Sequence, residues 1–70
     1  MAQYIVNRNA QPNGDHEVHN LNGTCYRLPN PENRVALGEH YSCTSAVQAA
    51  RRHYTQVNGC AYCASACHTG

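Results

Sequence analysis

The sequence contains no lysine, no tryptophan and no phenylalanine, and it is poor in charged residues altogether. All five basic side chains are arginines and the formal net charge is +1, which excludes the strongly basic surface typical of nucleic-acid-binding domains. Tyrosine is the only aromatic residue, and large aliphatic residues are few. A chain of 70 residues makes a single domain, here expected to span residues 1–70. With so small an apolar set, we expect a metal, a disulfide or a homo-oligomer interface to add stability.

The chain also lacks an apolar run long enough to span a membrane. Its first seven residues have neither the basic region nor the apolar region of a signal peptide. We therefore expect a cytoplasmic protein without a membrane partner. Because stable disulfides are disfavoured in the cytosol, this location favours reduced or metal-bound cysteines. The odd number of cysteines, five, leaves at least one thiol unpaired within a monomer.

Cysteine is concentrated at the C-terminal end, where residues 58–70 contain three of the five cysteines and one histidine. Zinc prefers four thiolate or imidazole ligands in a tetrahedron. Cys60 and Cys63 have the C-x2-C spacing of a tight turn around one ion, and Cys67 follows one helical turn after Cys63. We therefore predict a structural zinc held by Cys60, Cys63 and Cys67.

The fourth ligand has to come from elsewhere, because Cys67 and the adjacent His68 cannot both bind one ion without strain. We favour Cys25 and keep His68, His16 and His19 as alternatives. The segment from His16 to His19 is one residue shorter than the HExxH motif of zinc proteases, and on a strand its two histidines point to opposite faces. We predict no catalytic residues.

Other interpretations of the cysteines remain open at this point. The domain could be free of metal and stapled by disulfides, with Cys25 paired to Cys43 or to the tail. It could be a small thiol or redox protein that uses Cys60-x2-Cys63, for which a thiol pKa well below about 8.5 would be the sign. A cysteine-ligated iron–sulfur cluster is also compatible with the number of cysteines.

Four segments have the composition of β-strands, separated by turn-forming residues. They are Gln3–Asn9, His16–Leu21, Thr24–Leu28 and Val35–Tyr41. Asn22-Gly23 is a hairpin signal. A two-residue turn there places Cys25 on the face of His16 and Val18, whereas a three-residue loop turns Cys25 to the other face.

Residues 43–57 are predicted to form a helix. Cys43, Val47, Ala50, Tyr54 and Val57 recur at helical spacing and form one apolar stripe, which Asn58-Gly59 would end. The helix would separate Cys43 from Cys60 by roughly 20 Å, so these two cannot share an ion. If the tail instead folds back along the helix, Cys67 could approach Cys43 and the site made of tail residues alone fails.

Together these elements predict a small α+β fold. An antiparallel sheet of three to four strands (residues 3–41) would carry one helix on one face (residues 43–57), followed by the cysteine-rich tail (residues 58–70).

The segments N-x-N-A-Q at residues 7–11, GDHEVH at residues 14–19 and NGCxYCxxxCHT at residues 58–69 give the chain a recognisable layout. The chain resembles a group of short uncharacterised bacterial proteins with this layout, which implies a bacterial origin and no particular activity. Over residues 3–57 the predicted strand–strand–strand–helix order also resembles one repeat of YegP-like domains, a likeness of architecture from which no residue roles follow.

The sequence thus predicts a zinc-binding module that binds or scaffolds a macromolecule and is not an enzyme. With one net charge, a protein partner is favoured over a nucleic acid.

Overall fold

The computed structural model describes residues 1–23 and 25–69. The secondary structure consists of the strands Ala2–Asn7 (β1), His16–Asn20 (β2), Arg34–His40 (β3) and Val57–Gly59 (β4), the helix Cys43–Ala50 (α1), and two short 3-10 helices, Pro31–Asn33 and Ser65–Cys67. The strands form one sheet in the order β3-β1-β2-β4. β1 is antiparallel to both its neighbours, while β4 runs parallel to β2. The predicted small α+β fold is confirmed, with a mixed rather than antiparallel sheet.

A bulge in β3 sets the register against β1. Tyr4 pairs with Gly38 but Ile5 pairs with Ala36, so one extra residue of β3 is accommodated between them. Gly38 has a φ of 81°, a left-handed conformation that a residue without a Cβ adopts at little cost. Gly38 is therefore the residue that permits the bulge.

The predicted third strand, Thr24–Leu28, is wrong over the residues that the structure describes, and Thr24 lies outside them. The Leu28 N–H donates to the Cys25 carbonyl at 3.2 Å, which closes a turn instead of a ladder. Asn22 accepts a hydrogen bond from Gln3 N–H through its side chain, so it caps the start of β1 rather than forming a hairpin. The turn buries Cys25 and exposes the two residues that follow it.

The helix begins after Ser42 as predicted but ends at Ala50, seven residues earlier than the predicted end at Val57. Cys43, Val47 and Ala50 of the predicted stripe are buried against the sheet. Tyr54 and Val57 also pack on this core, but from a turn and a strand. The Tyr54 ring stacks on the His16 ring, with centroids 3.7 Å apart. Aromatic and β-branched residues suit a strand as well as a helix, and the open edge of β2 offers them backbone partners.

The tail folds back across the end of β4 towards the start of α1. Cys67 forms a disulfide with Cys43, and the Cα atoms of the two residues are 6.1 Å apart. The tail is also held to β4 by Asn58, whose side chain donates to the Thr69 carbonyl at 2.8 Å and accepts from the Thr69 N–H at 2.9 Å. The tail is therefore fastened to both the helix and the sheet.

Gly59 is the point of closest approach between β4 and the tail. A Cβ built on it would lie 2.8 Å from the Ala64 carbonyl oxygen and 2.8 Å from the Cys67 Cβ, both too close for any real contact. We expect Gly59→Ala to destabilise the domain by about 1–3 kcal/mol, the usual cost of overpacking. Chemical denaturation followed by circular dichroism would measure this effect.

Gly23→Ala is the matched control for that substitution, because a Cβ at Gly23 meets nothing within 4 Å. We expect its free energy of unfolding to stay within about 0.5 kcal/mol of the parent value. Equal effects of the two substitutions would show that the tail does not pack on Gly59 as described.

Among residues 1–23 and 25–69, no helix has the length and apolar character needed to cross a membrane.

Candidate metal centre

Four side chains from three separate segments meet at one end of the sheet: His19, Cys25, Cys60 and Cys63. β2 supplies the histidine and the turn before Leu28 supplies Cys25. The chain leaving β4 supplies the other two cysteines. His19 and Cys60 are completely buried, Cys25 is buried, and Cys63 is partly exposed. Each residue offers one ligand atom, and all four atoms lie within 4.8 Å of one another.

Two of the six distances among these atoms match a tetrahedral site around a single ion. The Sγ atoms of Cys25 and Cys60 are 3.7 Å apart, and the Sγ of Cys63 is 3.4 Å from the Nδ1 of His19. With Zn–S bonds of about 2.3 Å and a Zn–N bond of about 2.0 Å, a tetrahedron has S···S edges of about 3.8 Å and S···N edges of about 3.5 Å. The two measured pairs share no atom, so they correspond to two opposite edges of that tetrahedron.

Two backbone N–H groups point at the sulfur atoms. The Asn20 N–H donates to the Cys63 Sγ at 3.3 Å, and the Tyr62 N–H donates to the Cys60 Sγ at 3.4 Å. Donors aimed at a sulfur stabilise its thiolate form, which is the form that binds a metal. The second of these bonds follows from the tight C-x2-C turn, which the Ala64 N–H closes by donating to the Cys60 carbonyl at 3.0 Å.

His19 is neutral and has one ring nitrogen without a partner. Burial, assisted by the charges of Arg27 and Arg34, lowers the pKa of His19 to about 4, so the imidazole is in the form that binds metals at neutral pH. Its Nε2 is buried and makes no hydrogen bond within the described part of the chain. The nearest carboxylate oxygen, from Glu17, is 3.8 Å from this atom.

In metal sites, the ring nitrogen of a histidine ligand that does not bind the metal usually donates to a carboxylate or a carbonyl. Glu17 lies in the position of such a partner for His19. A histidine that binds through Nδ1 carries its proton on Nε2, and a nearby carboxylate fixes that tautomer and the orientation of the ring. A small movement of the Glu17 side chain would bring it within hydrogen-bonding distance of Nε2. This arrangement accounts for a carboxylate beside a fully buried imidazole.

Cys63 is the thiol whose titration differs most from that of a free cysteine. Burial is the main cause that raises its pKa to about 12, while the Asn20 N–H acts in the opposite direction. Without a bound cation this thiol is protonated at neutral pH. A metal ion supplies the positive charge that makes its thiolate stable.

The structure brings together three of the predicted cysteine ligands, Cys25, Cys60 and Cys63, and adds His19 to them. It places Cys67 elsewhere, because its sulfur is bonded to Cys43 and offers no thiolate. The tail does fold back along the helix, the arrangement in which Cys67 approaches Cys43.

The other histidines that we considered as ligands lie outside the cluster and have different partners. The Nδ1 of His68 is 2.9 Å from the Gly59 carbonyl oxygen. The Nδ1 of His16 is 2.9 Å from the Asn7 carbonyl oxygen, and its ring stacks on Tyr54. His16 and His19 point to opposite faces of β2, as expected for residues three apart on a strand.

No protein-family model, curated protein or solved structure matches this chain.

Proposed function

We propose that this protein is a small zinc-binding module in which His19, Cys25, Cys60 and Cys63 hold one structural zinc ion. The observation that carries the proposal is the pair of opposite edges, 3.7 Å between two sulfurs and 3.4 Å between a sulfur and an imidazole nitrogen. Three thiolates and one imidazole are a common ligand set of structural zinc sites. The two N–H donors aimed at the sulfurs and the Glu17 carboxylate 3.8 Å from the Nε2 of His19 support the same conclusion.

Zinc is favoured over the other metals that use soft ligands. Tetrahedral sulfur and nitrogen sites are typical of zinc and of iron–sulfur clusters. A two-iron cluster divides its four protein ligands between two irons, whereas here all four ligand atoms lie within 4.8 Å of one another. The cluster therefore fits one ion better than two.

The role that we propose for the zinc is structural, because the four protein ligands leave no open position for a substrate or water. The ligands come from β2, from the connection between β2 and β3, and from the segment after β4, so the ion would cross-link three parts of the chain. A domain of this size has a small apolar core and gains much of its stability from such a link. The module would serve as a scaffold that presents a surface to a macromolecular partner.

A redox role for Cys60-x2-Cys63 is less well supported by the same geometry. Reactive cysteines have a lowered pKa and sit in exposed, electropositive surroundings. Here Cys60 is completely buried, and burial raises the pKa of Cys63 to about 12. The one disulfide among the described residues joins Cys43 to Cys67 and involves neither cysteine of this motif.

Native mass spectrometry of protein purified without a chelator or a metal-binding tag tests the proposal. We expect the mass of the chain plus one zinc ion, minus about 2 Da for one disulfide. Denaturation should release the zinc, and alkylation without a reductant should then modify the three cysteines Cys25, Cys60 and Cys63. A folded, metal-free chain with a second disulfide among these three would contradict the proposed site.

A further inference from the structure

The two turns that supply three of the zinc ligands also carry a group of exposed side chains. Tyr26 and Arg27 follow the ligand Cys25, and Tyr62 lies between the ligands Cys60 and Cys63. Tyr26 is 78% exposed and Tyr62 is 58% exposed. Both rings are thus left out of a core in which aromatic side chains are scarce. We call Tyr26, Arg27 and Tyr62 the tyrosine–arginine patch.

The three side chains of the patch contact one another across two segments that are distant in the sequence. The ring centroids of Tyr26 and Tyr62 are 5.1 Å apart at an interplanar angle of 58°. The Cζ of Arg27 lies 5.6 Å from the centroid of the Tyr62 ring, within the range of a cation–π interaction. These contacts order the patch before any partner arrives, which reduces the conformational entropy that binding would cost.

The patch presents one positive charge that no carboxylate contacts directly. The nearby Glu17 carboxylate raises the pKa of Arg27 without pairing with its guanidinium. Within residues 1–23 and 25–69, no carboxylate oxygen lies within 4 Å of the Arg27 guanidinium, and the Glu17 carboxylate is 3.8 Å from the neutral ring of His19 instead. The Glu17 side chain is only 11% exposed and faces His19 rather than the solvent. The exposed surface therefore consists of a guanidinium, with its planar set of donors, and two phenol rings.

We infer that the tyrosine–arginine patch is a docking surface for an acidic peptide segment of a partner protein, a surface held together by the zinc centre. A carboxylate of the partner would pair with the Arg27 guanidinium in the bidentate geometry that this group favours. An apolar or aromatic side chain beside the carboxylate would pack on the tyrosine faces. Tyrosine and arginine are the residues that most often dominate binding energy at protein interfaces.

The low positive charge of the chain argues against single-stranded nucleic acid as the partner, although its bases can also stack on aromatic rings beside arginine. Nucleic-acid binders combine such rings with a strongly basic groove along the phosphate backbone. This chain has a net charge of +1, and the patch contains a single arginine. One guanidinium suffices for one carboxylate but not for a run of phosphates.

Titration of the zinc-loaded, ¹⁵N-labelled protein with defined probes tests the inference by nuclear magnetic resonance. The probes are a short peptide of Asp and Glu residues around one phenylalanine, the same peptide with Lys in place of each acid, and an oligothymidylate. We expect the acidic peptide alone to cause saturable shifts, centred on the backbone amides of Tyr26, Arg27 and Tyr62. Absence of saturable binding, or tighter binding of the oligothymidylate at these residues, would overturn the inference.

Two variants sharpen the test. Arg27→Gln and Tyr62→Ala should each weaken binding of the acidic peptide at least about tenfold, the loss expected at an interface hot spot. Arg51→Gln, at an exposed arginine beyond the end of α1, is the matched control and should leave binding unchanged. Equal losses in Arg27→Gln and Arg51→Gln would indicate a general charge effect and refute the patch.

The inference rests on the proposed zinc centre, and metal analysis separates the two. Each variant should contain one zinc per chain, because none of the substituted side chains is a ligand. If the parent protein contains no zinc, the proposed function fails whatever the peptide does. If zinc is present but the acidic peptide does not bind, the docking surface fails and the metal centre stands.

Discussion

Replacing Cys63 with serine is expected to release the proposed zinc ion and to lower the melting temperature by at least about 16 °C. A ligand present at a thousand times its dissociation constant stabilises the folded state by about 4 kcal/mol, and structural zinc sites commonly exceed this. In a domain of this size each kcal/mol shifts the melting temperature by about 4–8 °C. Differential scanning calorimetry and metal analysis of the purified variant would measure both effects.

Cys63 is the proposed ligand best suited to this test because it is only partly buried. A serine there removes little packing, so a large loss of stability reports on the metal rather than on the core. Cys60 is completely buried, and its replacement would combine both effects.

Measuring the stability of both proteins with and without a chelator isolates the contribution of the metal to folding. The parent protein and Cys63→Ser should differ strongly in the presence of zinc and hardly at all after chelation, because the chelated parent has lost the same interaction. If the difference between them persists at full size after chelation, the cysteine stabilises the fold by some means other than a metal ion.

How far the sequence predicts this fold depends on whether an element is specified locally. β1 comes from a segment rich in β-branched and aromatic residues, and β2 and β3 come from short segments bounded by turn-forming residues. All three appear within two residues of their predicted ends. The first half of the helix also follows from its own periodicity. These elements need little information from the rest of the chain.

β4 could not be predicted in the same way, because it is defined by its neighbour. It has three residues, two of which, Asn58 and Gly59, are typical of the end of a helix. It becomes a strand because β2 presents an open edge. The His16 N–H of that edge donates to the Gln56 carbonyl at 3.0 Å, and its Val18 carbonyl accepts from the Cys60 N–H at 2.9 Å. An apolar stripe that continues to Val57 fits a helix and a helix–turn–strand equally well.

The candidate site also combines residues that local spacing predicts with residues that only the fold brings together. The C-x2-C spacing of Cys60 and Cys63 is local and points directly to a shared ion, and Cys25 follows as the remaining cysteine of the sheet region. The spacing of Cys63 and Cys67 suggests a shared side of a helix, but this segment forms a short 3-10 turn that directs Cys67 towards α1. His19 stood only among the alternatives, since a single histidine on a strand carries no spacing signal of its own.

The Cys43–Cys67 disulfide should provide the second large contribution to stability. It joins residues 24 positions apart, and closing a loop of this length lowers the entropy of the unfolded chain enough to stabilise the folded state by about 3.5 kcal/mol. We expect the double substitution Cys43→Ala and Cys67→Ala to lower the melting temperature by at least about 14 °C. Alanine is preferred at position 43 because the native side chain is buried. Calorimetry of the zinc-loaded variant measures the change.

Thr44→Ala is the control for this second prediction, because Thr44 is exposed and its Oγ1 lies 3.8 Å from the Cys67 sulfur without any covalent bond. Its melting temperature should stay within a few degrees of the parent value. Unchanged stability of the double variant, or five alkylatable thiols in the unreduced parent protein, would refute the disulfide.

The double variant should still bind one zinc ion, because neither substituted residue is a ligand, but it should release the ion faster. The disulfide and the proposed zinc ion would close overlapping loops, since Cys60 and Cys63 lie inside the segment that the disulfide encloses. With the disulfide intact, less chain entropy remains to be lost when the ligands converge, so each link strengthens the other. Zinc transfer to a colorimetric chelator would show this coupling as a rate that rises in the variant, and in the parent protein after reduction. Equal rates in all three would mean that the two links stabilise the tail independently.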